Sequence, residues 1–313
     1  VSATLDYLPA AESFLDPVRA DAGDPAAARA VVIPFGLEAS VSYGGGTAAG
    51  PGAILAASHQ LELYDEELGS EPYRGYGVAA LREPAIARPI ARALAQLRDL
   101  VEAVLAANRF PFVLGGEHSL TVAPIAALAA RHRELVVVQF DAHADLRDGY
   151  QGEPFSHAAA MRRVLDHPGV SLVSIGIRAI SQEETDFYEA NRDRITIHWA
   201  KDQARWSFDD IVAPLRGRRL YLTFDIDALD ASIMPATGTP APGGLSYWQA
   251  LALLRRACAA GEVVGADLVE FAPIPGLHAC DYTAAAIAYK MLSYALLKGA
   301  SREEQTRPRT VGQ

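Results

Sequence analysis

Three ionisable side chains alternate in the stretch VVVQFDAHADL (136–146), where Asp141, His143 and Asp145 follow directly on an apolar run. Burying even one unpaired charge is costly. In an extended strand alternate side chains share a face, so the spacing predicts that the three meet at one spot, facing either water or a cation. Further on, LYLTFDIDALD (220–230) repeats the design with Asp225 and Asp227. A third apolar run, FPFVLGG (110–116), leads into GGEHS (115–119) and adds His118. Taken singly, His118 reads better as a satisfied loop histidine than as a ligand, and DIDALD could be a helix-capping turn. DAHAD resists such an account, because three metal-competent groups alternate behind a buried strand. Together the residues make four carboxylates and two imidazoles. Four gathered negative charges resist deprotonation. Two divalent cations cancel them, so the set predicts two metal ions. Oxygen-rich ligands with some imidazole and no thiolate suit Mn²⁺. Ions held about 3.5–4 Å apart need a bridging carboxylate, and a water between them becomes a nucleophile near neutral pH. Asp141 and Asp225, the first acid of each run, are the candidate bridges.

Strands predicted at 28–36, 110–116, 135–141, 170–177, 194–198, 219–226 and 262–270 have to carry these groups, with helices between them. The expected helices include GAILAASHQLELY (52–64) after the glycine-rich SYGGGTAAGPG (42–52), an amphipathic one through Leu94, Leu97, Val101, Val104 and Leu105, and one near 157–166. Residues 65–90 read as a connector. Such alternation predicts an α/β fold with a mainly parallel central sheet, and in such sheets ligands bind beyond the carboxyl ends of the strands. A single domain over 1–313 is expected, with an N-terminal arm (1–29) and a polar C-terminal tail (299–313). The net charge of −10 and the lack of a basic cluster argue against nucleic-acid binding. Two cysteines without CxxC spacing fit a reducing compartment. With no membrane-length apolar run and no leader-like N-terminus, a soluble, cytoplasmic protein with no membrane partner is expected.

GGEHS, DAHAD and FDIDALDASIMPATGTPAPGG (224–244) resemble the signature motifs of the ureohydrolase family, which includes arginase and agmatinase; the likeness runs from about residue 30 to 297. It implies a three-layer α/β/α fold, a dinuclear manganese centre with two Mn²⁺ per subunit, hydrolysis of a guanidino group to urea and an amine, and assembly as a homotrimer or homohexamer. On this resemblance His118, Asp141, Asp145 and Asp225 hold one ion, and Asp141, His143, Asp225 and Asp227 the other. The segment YQGEPFSHAAAMRR (150–163) resembles one whose histidine, here His157, acts as acid or proton shuttle. DLVEFAP (267–273) resembles one whose glutamate, here Glu270, grips the guanidinium. Three positions depart from the commonest pattern, Glu117, Ala158 and Ala231, and none removes a ligand.

A guanidinium is a poor electrophile, so the catalytic set expected is Glu270 to neutralise and orient the cation, Asp145 to accept the nucleophile's hydrogen bond, and His157 to protonate the departing amine. Loop 146–156 has no arginase-like carboxylate-recognition segment, and its acids Asp148 and Glu153 predict a substrate with a distal ammonium. Agmatine, giving putrescine, fits first. N1-aminopropylagmatine, giving spermidine, fits nearly as well, and guanidinobutyrate would call on Arg147 or Arg178. A different class, a non-catalytic metal-stabilised binding protein, would be favoured by loss of a ligand, His157 or Glu270; all are present.

Overall fold

The computed structural model describes residues 4–22 and 24–297. The predicted polar tail at 299–313 lies outside the described residues. Eight strands form one sheet in the order β2-β1-β3-β8-β7-β4-β5-β6. They are β1 Ala30–Phe35, β2 Val78–Ala80, β3 Phe110–Gly115, β4 Leu135–Phe140, β5 Val170–Ile177, β6 Ile195–Trp199, β7 Arg219–Asp225 and β8 Glu262–Val269. Every ladder pair is parallel. Seven of these match the expected runs to within two residues at either end. β2 was not expected: three residues are too few to show a period, and the strand exists through its pairing with β1.

The helices are α1 Gly50–Ser58, α2 Tyr73–Tyr76, α3 Ile90–Ala106, α4 Val122–Ala129, α5 Ala160–Val164, α6 Gln182–Ala190, α7 Phe208–Val212, α8 Tyr247–Ala260 and α9 His278–Leu296. Strand periodicity sorts them into two layers. Ala30 and Val32 of β1 face a cluster with Ile54 of α1, Leu254 of α8 and Leu292 of α9, whereas Val31, Ile33 and Phe35 face Leu94 and Leu97 of α3. A third cluster packs Met161 and Val164 of α5 and Leu128 of α4 on Leu135 and Val137 of β4. The sheet is therefore covered on both sides, which explains why its strands read as continuous apolar runs.

The helix expected over 52–64 begins at Gly50 and stops at Ser58, whose hydroxyl donates to Leu55 O and accepts from Leu15 N. That bond docks the N-terminal arm, where Phe14 and Leu15 are fully buried. The helix expected near 157–166 is a 3-10 turn, His157–Ala159, running into α5. Among the described residues no helix is long and apolar enough to cross a membrane.

Candidate active site

The four adjacent strands β3, β8, β7 and β4 deliver their chemistry-bearing residues at their carboxyl ends. Phe140 of β4 and Phe224 of β7 are register partners and their rings stack at 5.3 Å. Asp141 and Asp225 follow immediately on this apolar floor. The strand ends at Phe140, so the alternation expected for Asp141, His143 and Asp145 is not strand geometry. The chain turns instead, with Asp145 in the left-handed region at φ 53°, and this turn makes the groups converge. The two acidic runs share a local device: Asp141 Oδ1 accepts from His143 N at 2.6 Å, and Asp225 Oδ1 from Asp227 N at 2.8 Å. They are stitched together where Ala142 N donates to Asp227 Oδ1 at 3.0 Å.

Behind β3, Gly116 is needed for close approach: a Cβ there would sit 2.0 Å from Leu37 O. Without one, Glu117 N reaches Leu37 O at 2.7 Å, and His118 turns inward. His118 Nδ1 lies 3.0 Å from Asp145 Oδ2, 3.1 Å from Asp141 Oδ2 and 3.6 Å from Asp225 Oδ2. On the other side His143 Nδ1 lies 2.9 Å from Asp227 Oδ2 and 3.7 Å from Asp141 Oδ1. Two groups can thus each hold a metal, His118–Asp141–Asp145 and Asp141–His143–Asp227. Asp141 belongs to both and offers a different oxygen to each histidine, so it could bridge two ions. Asp225, the other expected bridge, lies beside the first group but joins neither tight cluster.

The donor chemistry fits cations. His118 Nε2 lies 2.8 Å from Thr223 Oγ1, while its Nδ1 is buried among carboxylates without a well-directed hydrogen bond. A lone pair aimed at three carboxylates is repulsive unless a proton or a metal stands between them. Ionisation behaviour shows the same conflict. Burial, then the Asp145 and Asp227 charges, push Asp141 up to about 7. Burial and the Asp227 and Asp141 charges hold Asp225 well above the usual carboxylate range. Burial opposes charge on both histidines, but neighbouring carboxylates reverse this, raising His118 far above 6.5 and His143 to about 10. The cluster is short of positive charge, which divalent ions would supply.

One layer below, the register aligns Ser174, Gln139, Thr223 and Asp267 across β5, β4, β7 and β8. All four are buried in apolar strands. Ser174 Oγ donates to Gln139 Oε1 at 2.6 Å, and Gln139 Nε2 to Asp141 Oδ2 at 2.8 Å. Thr223 holds His118, and Asp267 Oδ2 accepts from Thr121 Oγ1 and Tyr221 OH, both at 2.8 Å. Sequence reasoning missed this row. Its signal was present: a polar residue two positions before each first aspartate, inside an otherwise apolar run. Such outer contacts orient ligands, so Thr223→Val is expected to weaken metal affinity about 10–100-fold. Equilibrium metal titration checks this, and unchanged affinity would remove Thr223 from the site.

A cavity of about 460 Å³ opens over the cluster, lined by His143, Asp145, Asp225, Asp227, His157 and Glu270 among others. Glu270 follows β8 with φ 62°, and its Oε1 accepts from His118 N at 2.6 Å. A non-glycine residue held in the left-handed region stores strain that clusters at functional sites. Burial pushes Glu270 up to about 8; the His118 N–H opposes this and the Glu117 charge adds to it. His157 sits across the cavity with both ring nitrogens bonded to serines, Nδ1 3.0 Å from Ser40 Oγ and Nε2 2.6 Å from Ser42 Oγ. Both serines lie in the segment after β1, and neither was expected.

Asp148 and Glu153 are corrected as substrate-binding residues, because the fold brings neither to the cavity. Asp148 is exposed and binds Arg163 at 2.6 Å, and Glu153 Oε1 accepts from Phe155 N within its own turn. Both cations considered for a substrate carboxylate do line the cavity. Arg178, however, donates to five backbone carbonyls, those of Gly176, Asp227, Leu229, Ala241 and Pro242. Arg147 lies over the Tyr150 ring, with its Nε 3.8 Å from Glu184 Oε2.

Comparison with known proteins agrees with this geometry. The chain is 36% identical over 278 residues to an N(1)-aminopropylagmatine ureohydrolase of Synechocystis sp., covering 85% of this chain and 89% of that protein. It is 34% identical over 260 residues to an agmatinase of Bacillus cereus, covering 79% and 84%. Its fold superposes on the proclavaminate amidino hydrolase of Streptomyces clavuligerus with a TM-score of 0.82 at 26% identity, covering 95% and 99%. Residues 28–295 match the arginase family. With its acidic strand ends gathered over one parallel sheet and the match spanning that whole sheet, the chain belongs to the arginase family and is a ureohydrolase.

Proposed function

We propose that this ureohydrolase releases urea from a linear guanidine carrying a distal amine, agmatine to give putrescine or N1-aminopropylagmatine to give spermidine. The state of the two cavity arginines carries the proposal. A substrate carboxylate needs an uncommitted cation, yet Arg178 is tied to five backbone carbonyls and Arg147 is paired with Glu184. A cationic tail needs no such cation. The longer substrate is favoured by the Synechocystis relative.

His118, Asp141 and Asp145 would hold one manganese ion and Asp141, His143 and Asp227 the other, with Asp225 beside them. When bound, such ions activate water and withdraw charge from the group under attack. The chain's own residues do the rest. Glu270 binds the guanidinium and fixes its plane against the cluster. Asp145 orients the attacking oxygen through a hydrogen bond. His157 gives a proton to the departing amine nitrogen, which leaves poorly as an anion.

The test is urea release by the manganese-loaded chain offered agmatine, N1-aminopropylagmatine, arginine, guanidinobutyrate and guanidine side by side. Either amine-tailed substrate is expected to exceed the carboxylate-bearing ones by about 10²-fold or more in kcat/KM, a margin reached where buried polar groups go unpaired. A preference for guanidinobutyrate or arginine would overturn the distal-amine assignment. No urea from any would overturn the enzymatic one.

A further inference from the structure

Glu117 neighbours His118 in sequence, but its carboxylate serves the opposite wall of the cavity. It is 1% exposed and surrounded by donors. Oε2 accepts from Ala39 N and Ser40 N, both at 2.6 Å. Oε1 accepts from Ser119 Oγ at 2.5 Å and from Ser40 Oγ at 2.9 Å. The hydroxyl of Ser40 has one proton and three polar neighbours. It lies 2.9 Å from Glu117 Oε1, 2.9 Å from His157 N and 3.0 Å from His157 Nδ1. The backbone N–H can only donate to Ser40, and the carboxylate oxygen accepts from it. If the proton pointed at Nδ1 instead, the buried carboxylate would face a bare oxygen at 2.9 Å. The proton therefore belongs to Glu117, which leaves Ser40 Oγ as an acceptor, and Nδ1 must bring a hydrogen of its own.

We propose that Glu117, acting through Ser40, is a positioning residue that holds His157 with its hydrogen on Nδ1. Nε2, beside Ser42 Oγ at 2.6 Å, is thereby reserved for the proton given to the departing amine. The proposal rests on the acid role assigned to His157 above. Its effect is twofold. The neutral ring presents a bare Nε2 to be recharged, and the charged ring finds an acceptor already waiting at Nδ1, as an orienting carboxylate does for other catalytic histidines. The intervening hydroxyl lets a carboxylate beside a metal ligand control a ring on the far wall.

Glu117→Gln tests this sharply. The amide oxygen has to face the two backbone N–H groups, so the NH₂ faces Ser40 and donates to it. The Ser40 proton is then released toward Nδ1, the neutral ring carries its hydrogen on Nε2, and the charged ring loses its acceptor. Neutron diffraction from the deuterated, metal-loaded full chain reads these positions directly. The expected wild-type result is a deuteron on His157 Nδ1 and the Ser40 deuteron aimed at Glu117, whether or not Nε2 carries a second. In Glu117→Gln the Ser40 deuteron is expected to point at a bare Nδ1. With urea release as the readout, that variant should lose about 10²-fold in kcat, within the range a general acid supplies, while keeping its metal content and KM. Loss of a ground-state contact alone would raise KM instead. A bare Nδ1 in the wild type, or an unmoved deuteron in the variant, overturns the proposal. Should Glu117→Gln not fold, Ser40→Ala is expected to lower kcat by a similar factor with metal retained, and a wild-type kcat there also overturns it. If no guanidino compound yields urea, the proposed function fails, and the deuteron positions still decide the Glu117–Ser40–His157 arrangement.

Discussion

Replacing Asp141 by alanine is expected to abolish manganese-dependent urea release and to remove both ions. Asp141 alone belongs to both ligand groups, presenting Oδ2 toward His118 and Oδ1 toward His143. Metal ions supply several kcal/mol of transition-state stabilisation, so the loss should be at least about 10³-fold at about 1.4 kcal/mol per decade. Metal analysis of the purified variant checks the stoichiometry, and one fully retained ion would show that Asp141 does not bridge. The metal-free protein gives a second readout. Asp141 is raised from 3.8 to about 7 by burial and then by its acidic neighbours. A raised carboxyl binds its proton more tightly in the folded state, so its stabilisation is complete below pH 3.8 and is lost as pH rises through about 7. His118 and His143 are also raised and contribute with the same sign. In chelator, the wild type should therefore lose stability across this window, by up to about 1.4 kcal/mol per pH unit for each proton released. Asp141→Asn should flatten that slope and be the more stable chain at pH 8. Denaturant titration at several pH values measures both curves, and a metal-free wild type that gains stability toward pH 8 would refute the repulsion described here.

Glu270→Gln is expected to lower kcat/KM about 10³-fold while both ions stay bound, in line with losing one preorganised electrostatic contact and the orientation it imposes. The amide oxygen can still accept from His118 N, so the ligand loop keeps its anchor. What disappears is the negative charge at the cavity floor, which burial already makes expensive. A guanidinium is the partner that restores that charge, so the loss should appear for every guanidino substrate regardless of its tail. Steady-state kinetics with agmatine and with guanidine separate the possibilities. A variant damaged only toward agmatine would place Glu270 at the tail rather than the head of the substrate.

The parts of the site that could be read from sequence are those whose causes are local. Asp141, His143, Asp225 and Asp227 stand at the ends of apolar runs, and both the runs and their acidic ends can be seen within a dozen residues. Gln139 and Thr223 were equally visible as polar interruptions, but their partners lie on neighbouring strands, so register had to be known first. Ser40 and Ser42 could not be found this way. They meet His157 across more than a hundred residues, through a loop whose only sequence feature was its glycines. Asp148 and Glu153 misled for the converse reason. Their place in loop 146–156 suggested a role at the substrate's tail, yet a partly buried arginine pair and a tight turn hold them away from the cavity.

Strand order also dictates when the centre can come into being. Among the described residues β8 is the last strand to be synthesised, yet it lies between β3 and β7 in the middle of the sheet. Until residue 269 has emerged from the ribosome, the strands made so far can pair only as two separate slabs, β2-β1-β3 and β7-β4-β5-β6. His118 travels with the first slab and the other five candidate ligands with the second. A nascent chain lacking β8 therefore keeps His118 apart from the other candidate ligands, and assembly of the full two-group centre has to await β8. Meanwhile each slab presents an unpaired parallel edge, a template for pairing with other chains, so β8 acts as the wedge that closes both edges and brings the two halves of the centre together in one event.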